Sequence, residues 1–153
     1  MRALELKIPP PAVGLCVGVL MWLAARALPV SAFALPGREY FALALAAVGL
    51  LTDVAGIVSF VRARTTVNPL KPANASSLVT SGIYKMTRNP MYLGMLLLLL
   101  AWATYVANAI VFVLVPAFVF YINRFQIGPE EKALAKLFGD AFTAYKGSVR
   151  RWL

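Results

Sequence analysis

Histidine is absent from this chain, there is one cysteine, and only six residues are acidic against fifteen Lys and Arg. Each shortage excludes something. Without histidine there is no imidazole for acid–base catalysis and no His-based zinc site of the hydrolytic type. A single thiol, Cys16, cannot close an intrachain disulfide and leaves the redox compartment unread. No group of residues has metal-ligand spacing, and no Gly-rich loop of the P-loop or dinucleotide type is present. Internal repeats and low-complexity segments are also lacking. The chemistry that remains must depend on positioning more than on proton transfer.

What is abundant is apolar. Of 153 residues, 61% are hydrophobic and 14% charged, far more lipid-soluble than a soluble domain of this size requires. Apolar runs near 20 residues match a bilayer core. Four are legible, at about 12–28, 40–61, 92–105 and 109–122. Only Ala107 and Asn108 clearly separate the last two, which predicts a tight helical hairpin. The fold class expected is an all-α integral membrane protein: four transmembrane helices, a structured cytoplasmic loop and a C-terminal amphipathic helix in one membrane domain, residues 1–153. The start of the chain, with Arg2, Lys7, an apolar run and the small-residue stretch SAFA, has features of a secretory signal. A retained first helix fits better, because the Pro9–Pro11 run suits a helix start and Trp22 and Arg26 suit a cleaved segment poorly.

Charge orients the spans. All basic residues except Arg26 and Arg38 fall in the N-terminal segment, between spans two and three, or after span four. Four spans put those three regions on one side, so the positive-inside rule places both termini and the long loop in the cytoplasm, with a bacterial inner membrane as the expected location. The net charge of +9 is thereby explained without nucleic acid, which would need a soluble basic face.

Two polar segments remain. Arg62–Asn89 is rich in Pro, Asn, Ser and Gly and reads as a turn-rich folded loop longer than a connector needs. Its end, SGIYKMTRNPMYLG, runs directly into the apolar MLLLLLAWATYV. The second segment, Arg124–Leu153, is expected to begin where Gly128-Pro129 ends span four. Glu130 and Glu131 then open a helix at the positive end of its dipole. Leu134, Leu137, Phe138, Phe142 and Tyr145 share one face at spacings of three and four, so this helix should lie on the membrane or cap the loop. The hairpin brings the two segments together, so that Arg88, Asn89, Tyr92, Arg124, Gln126, Glu130 and Glu131 surround one opening suited to a zwitterionic or cationic ligand with hydroxyls. Asp53, inside span two, has two readings: a functional charge, or a packing residue hydrogen-bonded by Thr52 or Ser59.

The run SGIYKMTRNPMYLG, a hairpin, then PEEKALAKLFGDAFTAY resembles the isoprenylcysteine carboxyl methyltransferase and phospholipid methyltransferase superfamily. The resemblance covers roughly residues 65–153. It implies an integral membrane methyltransferase using S-adenosyl-L-methionine as cofactor. By position it implies a cofactor pocket of Ser76, Ser77, Leu78, Val79, Tyr84, Asn89, Pro90, Met91, Tyr92, Glu130 and Glu131. It implies catalytic or substrate-side roles for Arg88, Asn89, Tyr92, Arg124 and Gln126. Asn89 stands where the family more often has His, and Gln126 where the eukaryotic carboxyl methyltransferases have Arg. The partner implied is a lipophilic or lipid-anchored acceptor among membrane lipids, with no metal and no nucleic acid. A prenylcysteine-like carboxylate, a phospholipid amine and a thiol are all compatible. The competing readings are a non-enzymatic transport or assembly subunit and a membrane reductase of the sterol-reductase type.

Overall fold

A computed structural model describes residues 4–65, 70 and 72–153. The basic residues Arg2 and Lys71, and residues 66–69 of the loop expected over Arg62–Asn89, lie outside them. Among the described residues the secondary structure is helical, with one isolated antiparallel bridge, Ala32 to Asn108.

Helix α1 spans Pro10–Ala27. Proline suits its first turn, where an N–H would have no intrahelical partner. Helix α2, Arg38–Arg62, starts after Gly37, whose φ of 72° is the left-handed conformation that glycine adopts at little cost. Its buried positions are small: Ala42, Gly49, Thr52, Gly56 and Ser59. They form a stripe against α3, Pro90–Val106, and make this the most extensive helix contact in the fold. Small residues let membrane helices approach until backbone touches backbone. Here a Cβ added to Gly49 would lie 2.9 Å from the Gly94 carbonyl oxygen, and one added to Gly94 would lie 2.7 Å from that of Gly49.

After α3 the chain turns at Ala107, which is left-handed with φ 51°. Asn108 ties this turn to the α1–α2 connection: its Oδ1 accepts from Ile110 N at 3.0 Å and its Nδ2 donates to the Leu28 carbonyl at 2.9 Å. A 3₁₀ stretch, Ala109–Val113, leads into α4, Leu114–Ile122. Among the described residues three helical stretches are long and apolar enough to cross a membrane, Pro10–Ala27, Arg38–Arg62 and the continuous Ala109–Ser148, while Pro90–Val106, expected as the third of four spans, is a shorter apolar helix. The limits of α1, α2, α3 and the Ala109–Ile122 segment lie within two residues of the sequence-based ones.

The expected break at Gly128-Pro129 does not occur. Asn123–Ile127 forms a π turn that continues directly into α5, Gly128–Ser148. Pro129 has no N–H for the carbonyl four residues earlier, that of Phe125. That carbonyl instead accepts the Leu6 N–H at 3.0 Å. The N-terminal segment thus supplies the bond that proline withholds, and the helix passes through. Helix α5 bends at Gly139, where φ is 51° and ψ −122°. Leu134, Phe138, Phe142 and Tyr145 pack with Val79, Tyr84 and Phe60, so α5 covers the loop and the end of α2. Leu137 departs from the expected face and is exposed.

Candidate functional site

Where the end of α2, the loop, the start of α3 and α5 converge, the chain encloses a partly open cavity of about 120 Å³. Its walls are mostly apolar. Phe60 comes from α2; Pro72, Ala75, Leu78 and Val79 from the loop; Met91 from α3; and Ile127, Leu134 and Phe142 from the π turn and α5. Against these walls stand Ser77, Tyr84, Arg88, Asn89, Tyr92, Glu130, Glu131 and Tyr145.

The loop is anchored before it reaches the cavity. Ser76 N and Ser77 N donate to Thr65 Oγ1 at 3.0 and 3.4 Å, and the two hydroxyls donate to the Arg64 and Ala63 carbonyls. The buried Tyr145 hydroxyl donates to the Tyr84 carbonyl at 2.7 Å, holding α5 on the 3₁₀ turn Gly82–Lys85. Burial pushes the Tyr145 hydroxyl up to about 12. It raises Tyr84 as well, with smaller contributions from Tyr145 and Glu130.

The two acidic residues at the start of α5 have opposite environments. Glu130 is crowded by protein and bonded by one group, the Tyr92 hydroxyl, which donates to its Oε1. Burial is the main cause that pushes its carboxyl up to about 8; the Tyr92 bond pulls it down and the neighbouring Glu131 charge adds to the rise. Glu131 is also partly desolvated, which alone would raise it. The Arg151 hydrogen bond and charge, then Arg88 and Lys146, outweigh that and hold it below the ordinary range. Arg88 Nη2 reaches Glu131 Oε1 at 2.9 Å and Arg151 Nη2 reaches Oε2 at 2.6 Å. One carboxyl is a satisfied structural charge. The other keeps acceptor capacity free beside the cavity.

Arg88 and Asn89 wall the cavity and at the same time clasp the C-terminal tail. Arg88 Nη1 donates to the carbonyls of Lys146 and Val149, and its backbone N–H to that of Arg150. Asn89 Nδ2 and Thr87 Oγ1 both donate to the Arg151 carbonyl. Arg88 Nε is buried and has no hydrogen-bond partner.

Arg124 and Gln126 are not brought to the cavity. Arg124 pairs with Glu5 at 3.4 Å, and the fully buried Gln126 donates to the Ile8 carbonyl at 2.6 Å. Both hold the N-terminal segment that satisfies Phe125. Ser76 and Pro90 likewise lie just outside the lining. Sequence reasoning passed over Phe60, Pro72, Ala75 and Ile127. It read Leu134, Phe142 and Tyr145 only as an amphipathic face, whose signal was the periodicity itself.

A sequence model of the family described as Phospholipid methyltransferase matches residues 38–141, more than half of the chain. A protein of Haemophilus influenzae described only as uncharacterized is 48% identical over 63 residues, which is 41% of this chain and the whole of that relative.

Proposed function

Because the chain belongs to the phospholipid methyltransferase family, we propose that it is an integral membrane enzyme, one membrane domain with both termini and the long loop cytoplasmic in a bacterial inner membrane. It transfers a methyl group from S-adenosyl-L-methionine to a lipophilic acceptor. The observation that carries this reading is the cavity itself, apolar on its walls and carrying at one end a carboxyl, Glu130, with a single partner.

The donor set fits the cofactor. Apolar walls from Leu78, Val79, Phe60 and Leu134 suit a purine ring. The Glu130 carboxyl can hydrogen-bond ribose hydroxyls, and an ammonium group bound beside it would favour its ionised form. The rings of Tyr84 and Tyr92 suit a cationic sulfur. When bound, the cofactor supplies an electrophilic methyl on a sulfonium. The chain's own part is placement. Tyr92 holds the Glu130 carboxyl in one orientation. Glu131 holds Arg88, and through it the first turn of α3, against the tail. Phe142 and Tyr145 cover the cavity and exclude water, which strengthens every charge interaction inside. A carboxylate acceptor needs no base, and a neutral amine attacks as it stands and loses its proton afterwards, so the absence of histidine is no obstacle.

Arg124 and Gln126, expected on the substrate side, act in this reading by fixing the N-terminal segment. The acceptor is a prenylcysteine-like carboxylate, a phospholipid amine or a thiol. Calorimetry of the purified protein with S-adenosylmethionine and S-adenosylhomocysteine is the direct test, with Glu130→Gln weakening both; absence of binding by the folded wild type refutes the reading. Incubation with radiolabelled cofactor and a membrane lipid extract then separates a base-labile methyl ester from base-stable N- or S-methylation.

A further inference from the structure

A second, larger and more open cavity, about 460 Å³, lies between α1, α2 and α3. Gly14 and Leu15 wall it from α1, Ile57 from α2, and Met95 and Leu98 from α3. Every lining side chain is apolar except one, Asp53. Leu15 is 72% exposed and Ile57 45%, so the cavity gives onto the side of the helix bundle that faces lipid.

Asp53 Oδ1 is buried and has no hydrogen-bond partner. The hydroxyls expected to serve it are committed elsewhere: Thr52 donates to the Val48 carbonyl at 2.7 Å and Ser59 to that of Ala55 at 2.8 Å. The carboxyl also packs on Gly94, where any Cβ would overlap it. A carboxyl among aliphatic walls is costly unless a donor reaches it. Among the described residues nothing supplies one to Oδ1, and the adjoining space is large enough for a ligand that does. Met91 lines both this cavity and the polar-rimmed one, and so forms a partition between them.

We propose that the α1–α2–α3 cavity is a binding site for an apolar-tailed molecule carrying an ammonium head, with Asp53 as the group that receives the head. The aliphatic walls take the tail, entry is sideways from the bilayer, and Asp53 rejects molecules of the same shape that carry a carboxylate. Only the role of this ligand as methyl acceptor, passing Met91 to reach the first cavity, rests on the methyltransferase reading; the binding site does not.

The test uses the full chain in detergent and a dodecylamine bearing a diazirine on its tail, with crosslinked peptides mapped by mass spectrometry. Labelling is expected on the cavity-lining stretches of α1 and α3, competed by plain dodecylamine and not by dodecanoate. Asp53→Asn should lower labelling at least about tenfold, the scale of a lost charge-assisted hydrogen bond. Gly14→Leu, at a site with nothing within 4 Å of its added Cβ, fills the cavity without touching Asp53 and should abolish labelling. Equal competition by dodecanoate, undiminished labelling of either variant, or labelling confined to other helices overturns the proposal. Cofactor calorimetry runs beside it: labelling at the cavity without cofactor binding refutes the methyltransferase reading alone, and cofactor binding with labelling elsewhere refutes this site alone.

Discussion

Replacing Gly94 with alanine adds one methyl group and should be among the most damaging small changes in this protein. The added Cβ would sit 2.7 Å from the Gly49 carbonyl oxygen and would also overlap the Asp53 carboxyl. The carboxyl can rotate, but the Gly49 oxygen belongs to the helix backbone, so α2 and α3 must separate by several tenths of an ångström along their whole small-residue stripe. Overpacking of this kind costs about 1–3 kcal/mol, and more where backbone must move. The helix-propensity gain of alanine over glycine offsets at most ~0.5–1 kcal/mol. Taking the upper end of that range because backbone must move, the net expectation is a loss of roughly 2–2.5 kcal/mol. Gly18→Ala is the matched control, because its Cβ meets nothing within 4 Å, and it should be neutral or slightly stabilising. Reversible unfolding in mixed micelles with increasing SDS, followed by circular dichroism, measures both. Equal stability of Gly94→Ala and wild type, or equal loss in Gly18→Ala, would refute the close-packing argument.

Other outcomes concern the polar end of the fold. Glu130 carries a carboxyl raised from 4.5 to about 8, so the native state holds a proton that the unfolded chain releases; stability should fall as pH rises through that window, and Glu130→Gln should flatten the slope of unfolding midpoints taken from pH 5 to 9. Glu131 has the opposite sign: its depressed carboxyl stabilises above the ordinary range, and that contribution is lost as pH drops below it. Glu131→Gln leaves the mostly buried Arg88 without its partner and should cost about 2–3 kcal/mol, discounted because Arg151 is 38% exposed; release of the tail should show as faster tryptic cleavage at Arg150 and Arg151, and unchanged cleavage would count against the clasp. Gln126→Leu removes the donor to the Ile8 carbonyl and should raise hydrogen exchange in residues 4–8 while leaving the affinity for the proposed cofactor, S-adenosylmethionine, within about twofold; a larger affinity loss would place Gln126 closer to the cavity than its contacts do.

The apolar spans were readable from composition and length because each consists almost wholly of residues that prefer lipid. Of the residues expected around one opening, Tyr92 meets Glu130 and Arg88 meets Glu131, whereas Arg124 and Gln126 turn to the N-terminal segment. The π turn could not be read, since Gly-Pro ordinarily signals a stop, and the bond that removes the stop comes from Leu6, far away in sequence. One extra residue in that turn also rotates α4 relative to α5, which is why Gln126 faces the N-terminal segment while Glu130 faces the cavity. The double duty of Arg88 was equally hidden. Its partners are backbone carbonyls, and a backbone acceptor leaves no trace in residue identity. The orphaned Asp53 depends on two glycines on different helices meeting, a matter of helix rotation that periodicity in so uniformly apolar a chain does not encode.

The clasp of the tail by Thr87, Arg88 and Asn89 joins positions separated by 58–64 residues. A nascent chain emerges from its N-terminus, so α1, α2 and α3 can enter the membrane and pack their glycines together while residues 146–151 are still inside the ribosome. The polar-rimmed cavity cannot close in that interval, because its Arg88 wall has nothing to hold. Membrane insertion and acquisition of the site are therefore separate events in time, and an arrest of synthesis shortly before residue 146 would leave a packed, inserted bundle whose cavity is still open.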